Sequence, residues 1–86
     1  MILPIVNRNG TSREVLVDQR CEVGRALREV LHALAEMTPN GRDYYPVQGL
    51  LQQAEEQHRT RVETVKQLYE EISIEAEAIC DGEGTR

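Results

Sequence analysis

Two apolar periodicities of helical spacing fill most of this chain, and one short break separates them. The first runs Leu16, Val23, Leu27, Val30, Leu34 and Met37, with Arg20 in its one gap and Val17, Cys21, Leu31 and Ala35 widening the stripe. The second runs Leu51, Ala54, His58, Val62, Val65, Leu68, Tyr69, Ile72, Ala76 and Ile79. Apolar residues three and four apart form one face of an amphipathic helix. The break is Thr38-Pro39-Asn40-Gly41, where Pro39 biases its predecessor out of the helical region. Two long helices joined by a short loop fold back on each other. The fold class is therefore all-α, an antiparallel two-helix hairpin.

The boundaries follow from local signals. Residues 1–10 read as an extended N-terminal arm, because Pro4 forbids a helix interior and Asn9-Gly10 marks a turn. Thr11-Ser12-Arg13-Glu14 has the form of a capping box, with Thr11 taking the amide of Glu14, so helix 1 is expected over 12–37. A loop over 38–46 follows. Helix 2 is expected over 47–80, with Pro46 suited to a first turn and Gly49 able to delay the start to Leu50. Residues 81–86 read as a frayed tail. Counting away from the loop sets Cys21 near Glu63 and Ser12 near Ile72. Helix 2 then overshoots helix 1 by about two turns at its far end, where Ala76 and Ile79 would be covered by the apolar arm. Gly24, mid-helix, costs about 1 kcal/mol against alanine, which is either tolerated or marks a close crossing.

Composition narrows the partners. The only aromatics in 86 residues are Tyr44, Tyr45 and Tyr69, so the core must be aliphatic. A stripe as wide as that of helix 1 needs more than one neighbour, and small domains often complete their cores by association. A homo-oligomer, a dimer or higher even oligomer forming a helical bundle, is expected. A net charge of −5 argues against general DNA or RNA binding. The 1–6 stretch MILPIV is too short for a membrane span or a signal peptide. Cys21 and Cys80 show no pairing pattern, which suits reduced thiols and a cytoplasmic location. No metal-ligand spacing, cofactor motif or catalytic constellation is present. His58 lies on the apolar seam and reads as a packed histidine. His32 points to solvent or a partner. Neither has a readable nucleophile. The chain is not expected to be an enzyme.

Two loops carry binding character. The first, Asn40-Gly41-Arg42-Asp43-Tyr44-Tyr45-Pro46, offers Arg42 for phosphate, Tyr44 and Tyr45 for stacking on a ring, and Asn40 with exposed amides. The plainer reading closes the hairpin end with one tyrosine and pairs Asp43 with Arg42. The second comprises Asn9, Thr11, Ser12 and Arg13, at a helix N-terminus whose amides and dipole favour anions. Here the plainer reading pairs Arg8 and Arg13 with the acidic end of helix 2, Glu70, Glu71, Glu75 and Glu77. Nine of the ten basic residues are arginine, which suits bidentate anion recognition but is more simply explained by a GC-rich coding sequence. The two loops lie at opposite ends of one hairpin and meet only if a second, antiparallel copy brings them together.

The motifs NGTSRE at 9–14, NGRDYYP at 40–46 and EQHR at 56–59 resemble those of small uncharacterised helical proteins of tailed phages and prophages. The resemblance spans about residues 9–79 and implies a phage accessory role in a bacterial host cell, with no reaction, cofactor or site residues attached to it. By size and type such a chain is similar to oligomeric anti-defence sponges that sequester nucleotide-derived signals, although their motifs are not found in it. A protein–protein interaction module, inhibiting or bridging a host or phage protein through a helix face, is the alternative.

Overall fold

A computed structural model describes residues 1–82 of the chain. It is all-helical: α1 (Arg13–Glu36), a short 3-10 turn (Gly41–Asp43) and α2 (Leu50–Cys80), preceded by an N-terminal stretch without helix. The two helices pack as a hairpin.

The helix ends differ slightly from expectation, for local reasons. Ser12, not Thr11, is the cap of α1. Its backbone is extended (φ −65°, ψ 156°) and its side chain accepts from the Val15 amide, so the helix starts at Arg13. At the other end Met37 has left helical geometry. The start of α2 falls at Leu50, three residues beyond the expected 47. Gly49 precedes it with φ 83°, a left-handed conformation glycine adopts without a side-chain penalty. Asp81 ends α2, its amide donating to the Glu77 carbonyl at 2.9 Å while the Gly82 amide donates to the Ile79 carbonyl at 3.1 Å. The rest of the expected tail, 83–86, lies outside the described residues.

The hairpin register corrects the sequence count. Arg20 meets Glu75, the backbone of Gly24 lies under Tyr69, and Thr38 Oγ1 is 3.4 Å from His58 Nε2. Cys21 is thus grouped with Tyr69 and Ser73 rather than set near Glu63. The far ends of the helices are nearly level, since Cys80 lines one groove with Arg13 and Val17. The overshoot of α2 is at the loop end, where its first two turns run beyond Thr38. The loop turns back over them: a Cβ on Gly41 would touch Leu51 at 3.7 Å, and Tyr44 shares a cleft with Leu50, Gln53, Ala54 and Gln57. Both cysteines are free thiols.

The seam is turned from the expected stripe. On α1 the buried and half-buried positions include Leu16, Arg20, Gly24, Leu27, Leu31 and Leu34, whereas Val23, Val30 and Met37 are exposed. Leu16 and Ile79 are the buried hydrophobic side chains among the described residues. The radius of gyration is 18.7 Å, with extents of 63 × 19 × 17 Å. A compact chain of this length would have about 12 Å. One hairpin leaves twelve large hydrophobic side chains exposed among the described residues, Val23, Val30 and Met37 among them.

Arg20 occupies the gap in the stripe without breaking the seam. Its Nη1 donates to the Leu16 carbonyl at 3.0 Å, and its Nε lies 3.4 Å from Glu75 Oε2, with both side chains about four-fifths buried. Arg20→Ala should destabilise by about 2 kcal/mol, because Glu75 is left half-buried without its cation. Arg20→Met, which fills the space without charge, should cost clearly less. Urea midpoints of the two variants check this.

Gly24 faces Tyr69, but a Cβ there would meet the ring at 3.6 Å, an ordinary contact. A methyl group fits, so the crossing does not require glycine. Gly24→Ala should stabilise by about 0.5–1 kcal/mol through the helix propensity of alanine, read as a rise in Tm of several degrees.

Candidate binding site

The 40–46 loop is built around Asn40. Its Oδ1 accepts from the Arg42 amide at 3.0 Å, and its Nδ2 donates to Asp43 Oδ2 at 3.0 Å. Two backbone bonds, Asp43 to Asn40 and Tyr44 to Gly41, close the 3-10 turn. Asp43 is thus engaged by Asn40, not by Arg42 as the plainer reading had it. The Arg42 side chain is exposed and makes no ion pair among the described residues. The adjacent tyrosines divide. Tyr44 is half-buried in the cleft against the first turns of α2, and Tyr45 is 83% exposed. The bond between Tyr45 and Pro46 is cis. The loop therefore presents one cation and one aromatic ring to solvent from a turn fixed by a side chain.

The second group is held by Asn7, a residue that sequence reasoning passed over. Its Oδ1 accepts from the Asn9 amide at 3.0 Å, its carbonyl accepts from the Gly10 amide, and its Nδ2 donates to the Ile5 carbonyl. Asn7 two residues before Asn9 is the spacing of an Asx turn, a signal open to reading in advance. Asn9, Thr11 and Ser12 are exposed and Arg13 is half-buried. Ser12 already uses its oxygen on Val15. Glu75 of the acidic end of α2 pairs with Arg20.

The structure does not bring the two groups together in one chain. All 24 residues of α1 separate them, a rise of about 36 Å.

A third cluster was not singled out from the sequence. Arg20, Cys21, Gly24 and Arg28 of α1 line a groove of about 210 Å³ with Tyr69, Ser73 and Ala76 of α2. The Arg28 guanidinium carbon is 5.9 Å from the Tyr69 ring centroid, within cation–π range. The recurrence of Arg20, Gly24 and Arg28 every four residues was the available signal. Both cations are already engaged, Arg20 by Glu75 and Arg28 by Tyr69, so the groove offers less to a ligand than Arg42 does.

His58 is half-buried, with Thr38 as its polar neighbour, and His32 is exposed. No group of three metal-ligating side chains occurs among the described residues, and none of their helices is long and apolar enough to cross a membrane. No family model, curated protein or solved structure matches the chain.

Proposed function

We propose that this chain is a non-enzymatic binding protein of the phage accessory type, a sponge that sequesters a nucleotide-derived signal in the host cytoplasm. The observation that carries the reading is the presence of an exposed Tyr45 and an exposed Arg42 on one turn locked by Asn40. Tyr45 is one of three aromatics in the chain and the one whose ring is open to solvent, so its face is available for stacking. The ring would stack on a base and Arg42 would take phosphate. Asn9, Thr11, Ser12 and Arg13 of a second copy would supply amides and a further cation. Tyr44 supports the loop from beneath, and Asn40 fixes its shape.

A thermal-shift screen tests this with cyclic mono-, di- and trinucleotides and cyclic ADP-ribose isomers. A true ligand at a hundred times its Kd should add about 2.7 kcal/mol of stability. A screen without a hit would favour the second reading, a protein–protein interaction module. The observation behind that reading is the row of exposed apolar residues Val23, Val30 and Met37 on α1.

A further inference from the structure

The exposed row belongs to a longer pattern. On α1 the residues Gln19, Val23, Ala26, Val30, Ala33 and Met37 are all exposed and are spaced four, three, four, three, four. On α2 Gln57, Arg61, Thr64, Leu68, Glu71 and Glu75 repeat the same spacing, all exposed save the half-buried Glu75. This is the heptad alternation of helices that pack side by side. Each of these positions immediately precedes a residue that faces across the hairpin, as Val23 precedes Gly24 and Leu68 precedes Tyr69. Each stripe is therefore turned from the seam by one residue, about 100°. Equal turns along antiparallel helices bring both stripes to the same side of the hairpin. One flat face results, apolar along α1 and mixed along α2. Exposed Met1 and Ile2 border it at Glu71 and Glu75.

We infer that a second copy of this chain covers that face, turned end for end about a two-fold axis, to make an antiparallel four-helix bundle. Three features select this occupant and orientation. On α1, antiparallel pairing sets Val23 against Ala33 of the second copy and Ala26 against Val30, large against small in every central layer. On α2, the same operation sets Arg61 against Glu71 of the second copy and Thr64 against Leu68, so the charges meet with opposite sign. The centres of the two pairings are residues 28 and 66. The hairpin's own contacts, Gly24 with Tyr69 and Arg20 with Glu75, place residue 28 level with about residue 66. A single axis therefore serves both helices. The alternative bundle, with both loops at one end, would set α1 of one copy against α2 of the other. It would face Val23 with Glu71 and Ala33 with Arg61, leaving charges against apolar groups. The end-for-end dimer also brings Thr11, Ser12 and Arg13 of one copy to the end of the bundle that holds the other copy's 40–46 loop. It thereby supplies the second copy required by the two-loop site, on which the nucleotide reading rests, yet it is tested without any ligand.

The test uses the full chain with Cys21→Ser and Cys80→Ser, a nitroxide label at Met37→Cys, and electron–electron distance measurement. In the end-for-end dimer the two labels lie about 27 Å apart along the bundle, since Met37 is level with residue 19 of the second copy. Both loops at one end would bring them within about 15 Å, a bundle diagonal, and would overturn the orientation. No coupling, together with a monomer mass, would overturn the dimer. A second variant fixes the register. Ala26→Cys with Val30→Cys in the same background should give an intermolecular disulfide under air, and Ala26→Cys alone should not. Failure of the double variant in a chain that dimerises would overturn the register. None of these outcomes depends on whether Arg42 and Tyr45 bind a nucleotide.

Discussion

Val30→Asp should abolish assembly. Val30 is 43% exposed in the single hairpin, so a carboxylate there is tolerable within one chain. In the dimer it would be enclosed against Ala26 of the second copy, and the symmetry introduces the charge twice. An uncompensated buried charge costs about 3–5 kcal/mol, so two of them should weaken the dimer by at least a thousandfold, since 1.4 kcal/mol is tenfold. The sparse interior of the hairpin makes the loss propagate. With Leu16 and Ile79 as its buried hydrophobic side chains, the isolated hairpin should also lose much of its helix. His32→Asp, exposed on another side of the same helix, is the control and should change little. Sedimentation and far-ultraviolet circular dichroism of the two variants decide the matter. A Val30→Asp chain that sediments as the wild type does would place the contact on another face.

The second large effect belongs to the loop. Arg42→Ala with Tyr45→Ala should lose several hundredfold or more in affinity for whichever nucleotide the screen identifies. A stacked base is worth about 1–3 kcal/mol, and a charged hydrogen bond to phosphate about 1.5–3 kcal/mol. Thermal stability should stay close to wild type, because both side chains are exposed and neither holds the turn together. Tyr44→Ala makes the contrast. That ring is half-buried against α2, so its loss should lower stability as well as affinity. Calorimetric titration measures the affinities. Binding unchanged in the Arg42 and Tyr45 double variant would move the site away from this loop.

Much of the hairpin was legible because its signals are local. Helical spacing marked both helices and Pro39 stopped the first; the second was expected from 47 and starts at Leu50, after the left-handed Gly49. The register was not legible. The loop does not merely reverse the chain; it folds back along two turns of α2, with Gly41 on Leu51 and Tyr44 in the cleft beyond. That is a tertiary preference, and counting residues outward from a loop treated as a point displaced the pairing. The partner of Glu75 was lost for the same reason. The stripe of α1 from Leu16 to Met37 is wide enough for more than one neighbour, and the hairpin uses only one edge of it, through Leu16, Leu27 and Leu34. Its other edge stays exposed, as a stripe wide enough for two neighbours should when one is missing. At the site, the adjacency of Tyr44 and Tyr45 required that they face different ways. Which one faces solvent depends on Asn40 holding Asp43 and on how the loop settles on α2, and neither is written in the spacing.

If this hairpin is half of a folded unit, sedimentation equilibrium of the wild-type chain at micromolar concentration should give twice the chain mass of 9.8 kDa, with helix content falling on dilution as the dimer dissociates. A species of single-chain mass whose helix content does not change with concentration would contradict the dimer.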